Sequence, residues 1–356
     1  MSYTNGLDNP ELFFQTKLYT GNGSTQSITL DGDTDMQPDY VMIKQRSSTQ
    51  QWNGYDVIRG VQKYLGWNTS IQEYTQSAGL TAFGSNGFTV GGDDMVNGGS
   101  STYVGYCWKA GTAFTNDASS TGIGTIDSTG SVNTDAGFSI VSWTGDGNNG
   151  ATIAHGLGVT PAIVITKRRS AVGDWLVGGS AVDTVRGGAN SLLLLNTTAA
   201  MDSNSEVYQT FSSTTFQVGV NAYANTSGST MISYCFAEKQ GYSKFGSYTG
   251  NGSTDGTFVY TGFKPAFVIA KESSEARDWQ LWDNKRLGYN ASGGNKNLIP
   301  NKTDVEDTYA DIDILSNGFK LRSTSAAHNK VSQTYIYMAF AENPFVTSTG
   351  VPACAR

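Results

Sequence analysis

No apolar run in this 356-residue chain is long enough to cross a bilayer, and no polybasic cluster exists to hold a lipid surface. Basic residues number 23 against 30 acidic ones, giving a formal net charge of −7, and none lies between Lys109 and Lys167. A nucleic-acid backbone requires a basic patch, so nucleic acid is excluded as a partner. Only two histidines occur, His155 and His328, and only three cysteines, Cys107, Cys235 and Cys354. Three thiols without metal-ligand spacing make neither a disulfide scaffold nor a zinc site. Long helical periodicity is also missing; the segments after Asp56 and Asp283 support at most a turn or two. The opening Met1-Ser2-Tyr3-Thr4-Asn5-Gly6 lacks the charged and apolar regions of a secretory signal. The expectation is synthesis in the cytoplasm, with any extracellular role reached by lysis or by assembly into a particle.

What the chain has is repetition. Pro38, Pro161 and Pro265 open the runs PDYVMIK, PAIVITK and PAFVIAK, which end at Lys44, Lys167 and Lys271. Trp52, Trp175 and Trp279 follow at one fixed distance from those prolines, and an aromatic-Thr-Gly turn precedes each, at Tyr19, Trp143 and Tyr248. Downstream come Phe88, Phe216 and Phe319, then the alternating segments TYVGYCW, TMISYCF and TYIYMAF. Landmarks in shared register mean a triplicated unit, and its superposition is expected to bring the three tryptophans to one position. Cys107 and Cys235 hold matching places in the last segment, where the third repeat has Ala339, so each reads as a small buried apolar residue.

Asn-Gly occurs eight times between short Val, Ile, Tyr, Phe and Thr runs, the strongest short hairpin signal. The expected fold is all-β, three tandem homologous antiparallel β-sandwich domains, each with a core of its own. The boundaries place an N-terminal arm at 1–16, repeats at 17–111, 137–240 and 241–345, and a C-terminal tail at 346–356. Residues 112–136, rich in Ser, Thr, Gly and Asp, read as a flexible linker, which leaves the first domain room to move while the other two abut. The arm is of a kind that adds a strand to a neighbour's sheet edge.

Chemistry-bearing residues are few. His155, in Ala-His-Gly-Leu-Gly, has no Gly-x-Ser-x-Gly to serve and reads as a turn residue, as does His328 in its loop. Asp31-Gly32-Asp33-Thr34-Asp35 opens like a calcium loop, but Met36 and Met42 stand where Gly and Glu are needed. Asp93-Asp94 is a second acidic turn. No catalytic residue, cofactor or metal site is assigned, and no binding residue is fixed. The lysines, with Asp56/Arg59 and Asp283/Arg286 at equal offsets, read as surface or half-buried ion pairs holding the Trp loop. The tryptophans read as core anchors first and as sugar-stacking platforms second. The divergent segments Ile71–Ser85, Ala199–Thr214 and Asn301–Ile312 are better placed to meet partners than the constant scaffold.

The segments DNPELFFQTK and YTGNGS, from Asp8 to Ser24, with GYSKFGSYTGNG from Gly241 and TYIYMAFAENPF ending at Phe345, resemble a poorly characterised repeat family found in marine tailed phages of the cyanophage and pelagiphage type. The resemblance covers nearly the whole chain and implies a virion structural protein, without known catalytic residues. It implies location on the virion, release by lysis, other virion proteins as partners and a homo-oligomer, with a host-surface glycan or protein as a further partner. A tail-fibre or adhesin-type component ranks first, a head decoration protein second, and a glycan depolymerase last, for want of any motif. The reading is therefore of a non-enzyme.

Overall fold

A computed structural model describes residues 7–286, 290, 295–309 and 311–352. The fold is all-β with antiparallel pairing throughout the named sheets, and the longest helix among the described residues is Ser180–Arg186. Each repeat contributes a four-stranded arrangement and a three-stranded one. In repeat one the order is Phe14–Thr20, Thr102–Trp108, Tyr40–Gln45, Trp52–Asp56, packed over Gln26–Thr29, Gly87–Val90, Leu80–Gly84. Repeat three repeats both orders. Repeat two keeps both as well, its four-stranded order lying inside an eight-stranded sheet.

That sheet is larger because Ser191–Leu194 and Asp202–Ser203 extend it at one side, and because residues 112–136, at the other, are not a free linker. They form the strands Thr112–Asn116 and Ser128–Asn133, which pair in turn onto Phe138–Thr144. Their Ser, Thr and Gly content suits a sheet margin with one wet face, and this is the composition that read as flexible.

The alternation within Tyr40–Gln45 explains the rest of the architecture. Val41 and Ile43 point into the sandwich of repeat one, with Phe88, Val90 and Cys107. Tyr40 and Met42 point the other way, into a second core. That second core gathers side chains from all three repeats, among them Trp108, Phe236, Phe267 and Phe340. Tyr40 lies over Tyr234 with centroids 4.4 Å apart, Tyr106 meets Phe267 at 5.2 Å, and Phe236 meets Phe340 at 5.7 Å. Aromatic pairs at such distances add to the burial of large ring surfaces. Repeat one is therefore locked to both of its neighbours rather than loosely tethered. A void of about 20 Å³ remains at the centre, lined by rings and aliphatic groups, and an apolar space of that size stays dry.

The three tryptophans hold matching places at or just before the first residue of the fourth strand, each indole donating to a carbonyl of another repeat. Trp52 Nε1–H reaches Ile299 O at 3.1 Å, Trp175 reaches Gly66 O at 2.7 Å, and Trp279 reaches Leu194 O at 3.0 Å. One repeat donates to three, three to two, and two to one, so the contacts close a ring.

Two of the three seams are ionic inside. Between repeats one and two, Asp56 and Arg59 form a buried pair, Tyr234 Oη donates to Asp56 at 2.7 Å, and Arg169 grips Glu73 through two bonds of 2.9 and 3.0 Å. Between repeats three and one, Asp283, Arg286, Tyr106, Glu306 and Arg46 do the same work. The third seam carries Gly179, Val182, Met201, Ser273 and Met338 at the matching positions, and there the helix Ser180–Arg186 packs on repeat three. One backbone bond is common to all: Glu73, Glu306 and Met201 donate N–H to Arg169 O, Arg46 O and Ser273 O.

The chain thus contains both solutions to one packing problem. Removing one member of a buried ion network strands a charge and costs about 3–5 kcal/mol, whereas replacing the whole set by apolar groups is close to neutral. Arg59→Met alone is expected to lower the denaturation midpoint sharply. Combined with Glu73→Met, Arg169→Ser and Tyr234→Met, and with Asp56→Gly, it is expected to recover most of that loss in urea titrations.

Candidate functional site

The residues singled out by their repetition are committed to holding the molecule together. Lys44, Lys167 and Lys271 are buried and make no ion pair among the described residues. Lys44 Nζ donates to Gln45 O and to Thr303 O of the neighbouring repeat, at 2.7 and 3.2 Å. Lys167 Nζ reaches Arg168 O and Ser70 O at 3.1 and 3.2 Å, and Lys271 reaches Glu272 O at 2.7 Å. The expected ion pairs at these lysines are carbonyl cradles instead, because the strand end faces a seam of backbone oxygens. The pairs at Asp56/Arg59 and Asp283/Arg286 are real but fully buried, not surface bridges.

The divergent segments also turn inward in part. Glu73, Met201 and Glu306 lie within them and form the seams, although Ile71 and Tyr74 remain exposed. The residues after Phe13 are spent within the chain too: Phe14 sits in the central core and Phe14–Thr20 pairs with Thr102–Trp108, so this portion of the arm adds its strand at home.

His155 is buried in its turn. Its Nδ1 accepts from Leu157 N–H at 3.2 Å and its Nε2 lies 3.2 Å from Ser212 O, which fixes the tautomer with hydrogen on Nε2. Burial pushes its pKa down to about 4, so it is a neutral structural imidazole. His328 is buried, 3.3 Å from Asp311 and edge-on to Trp282. The Asp31–Asp35 loop is tied to the N-terminal segment: Lys17 pairs with Asp31 at 3.0 Å, Gln15 accepts from Gly32 N–H, and Glu11 accepts from Asp33 N–H. Asp93 caps the helix Asp94–Asn97. Among the described residues no cluster of three His, Cys, Asp or Glu stands at metal-binding distance. Cys107 and Cys235 are free and buried in two different sandwich cores, and burial raises both thiols, Cys235 to about 12. Cys354 lies outside the described residues.

A surface feature that no repeat landmark announces lies on the added strands of repeat two. Thr112–Asn116 and Ser128–Asn133, with Asp117 at the cap of helix Ala118–Thr121, wall an open groove of 490 Å³. Asn116, Asp117, Asp127, Thr129, Ser142 and Thr230 line it, over the buried Trp143. Asp127 accepts the N–H of Ala118 at 2.9 Å, and Arg169 donates to Ser142 Oγ at 3.2 Å, so the groove runs up to the ionic seam. Hydrogen bonds from Ser119 and Ser120 hold the Asp117 carboxyl below its ordinary range. Two carboxyls are instead raised by burial, Asp39 and Asp183, which belong to different repeats and lie away from the groove. Asp117 is therefore an acceptor and not an acid at neutral pH, and the groove is equipped to bind hydroxyls and amides. Composition could not reveal it, since most of its residues lie in the stretch that reads as a linker.

The buried lysines have a measurable signature. Burial lowers each from its ordinary value to about 8. Below pH 8 folded and unfolded chains both carry these protons; above it the unfolded chain holds more, so stability rises with pH until the unfolded lysines also titrate. Melting temperature is expected to climb between about pH 8 and pH 9.5, and the climb should shrink in Lys167→Met. A flat profile shared by both proteins would contradict this assignment.

No curated protein and no solved structure matches this chain. A family model described as a domain of unknown function, DUF7483, matches residues 9–344, and so takes in all three repeats as one unit. The chain belongs to the DUF7483 family.

Proposed function

We propose that this chain is a non-enzymatic structural protein on the surface of a tailed-phage virion, of the tail-fibre or adhesin type, and that the groove of repeat two binds a polar host-surface ligand such as a glycan. The observation that carries the reading is how the side chains are used. The repeated lysine, tryptophan and phenylalanine landmarks are all buried in seams and cores, which suits a rigid carrier. The added strands of repeat two depart from the repeat plan and build a groove of hydroxyl, amide and ionised carboxylate groups. Its 490 Å³ falls in the range of small-ligand sites, and its polarity fits a polyhydroxylated ligand better than an apolar one. The resemblance to phage repeat proteins supplies the setting.

Two measurements test it. Copy number in purified particles, against the major capsid protein, separates a tail component present in few copies from a decorator present at capsid numbers. Binding of the purified chain to host cells tests the groove. Thr129→Trp fills the groove from an exposed position and is expected to reduce binding at least tenfold while leaving the melting temperature unchanged. Equal binding by this variant and the parent would overturn the groove assignment.

A further inference from the structure

The three outer sheets each end in an edge strand, and the chain treats the three edges differently. In the antiparallel ladder alternate residues turn their N–H and C=O groups away from the partner strand. On Phe258–Tyr260 those residues are Phe258 and Tyr260, because Thr257 O and Thr261 N are the groups that bond inward, to Leu321 and Asn317. The matching residues are Ser27 and Thr29 in repeat one, and Thr152 and Ala154 in repeat two.

Repeat two covers its edge with its own chain. Thr125 N–H donates to Thr152 O at 2.9 Å, Thr152 N–H donates to Thr125 Oγ1 at 2.9 Å, and Ser128 Oγ donates to Ala154 O at 3.1 Å. Repeat one leaves its edge uncovered by any described residue and presents two exposed hydroxyl side chains. Repeat three leaves the edge uncovered by any described residue and presents two aromatic rings, Phe258 at 44% and Tyr260 at 59% exposure. A bare edge without Lys or Pro and with large apolar side chains is a template for strand pairing.

We infer that this edge pairs with its own copy, the Phe258–Tyr260 strands of two chains joining antiparallel about a two-fold axis at Val259. The geometry is self-complementary. With Val259 opposite Val259, Phe258 of each chain faces Tyr260 of the other, the outward N–H and C=O groups of both residues exchange bonds, and two cross-strand aromatic pairs form on one face. The surrounding charges do not oppose it. Lys320, across the ladder from Phe258, is paired with Asp255, and Arg322 with Asp313. The edge of repeat two shows that this place on the scaffold takes bonds from a further segment, since Ile126 bridges Ile153 there.

The test is sedimentation velocity over a concentration series with amide hydrogen exchange on the same samples, for the parent and for Phe258→Ser with Tyr260→Thr. These are the residues of repeat one, placed at exposed positions, so the fold is kept. The parent is expected to form a reversible dimer, with the amides of Phe258 and Tyr260 slowing as dimer forms. The variant is expected to dissociate at least tenfold more readily. A parent that stays monomeric at every concentration would overturn the inference, as would a variant that dimerises equally. So would dimer formation that leaves those two amides unprotected, which would place the contact elsewhere.

Discussion

A sheet that is apolar on both faces has to be covered twice, and in this protein the second cover is the same sheet from the other repeats. Tyr40–Gln45 and its counterparts Ile163–Arg168 and Phe263–Glu272 send alternate side chains into a private sandwich and into the shared centre. The private cores are small, and five of the seven tryptophans, Trp108 and Trp175 among them, lie in the shared one. The seams, the indole bonds and the inward turn of the divergent segments all follow from closing that centre.

The sequence told much of this and misled on particular points. The tryptophan register and the Asn-Gly turns located the strands, because turn chemistry and period-two burial are local. The shared centre was not legible: a strand buried on both faces reads as a continuous apolar run and does not say what covers it. Residues 112–136 misled through composition, since Ser, Thr and Gly on a wet sheet margin look like a tether. The asymmetry of the seams was in plain view as the Asp/Arg pairs of repeats one and three and their absence from repeat two. Its meaning needed the partners, Tyr106 and Tyr234 against Met338, which lie far off in the chain.

The groove shows where such a scaffold is free to vary. The ring fixes the inner half of every repeat, so new surface can be added only outside it, and the extra strands of repeat two are such an addition. That they also shield the edge at Thr152 links the two features: the insertion that builds a groove removes a sticky edge. Repeat three has no such insertion, and its edge is left bare by the described residues.

The ring of indole bonds has a kinetic meaning. Each repeat is held by two seams, so opening one seam leaves its two sides tethered through the remaining pair, at the high effective concentration of an intramolecular contact. Reclosure then outpaces departure. A molecule built this way resists proteolysis and slow unfolding through its rate of opening, beyond what the strength of any single seam provides.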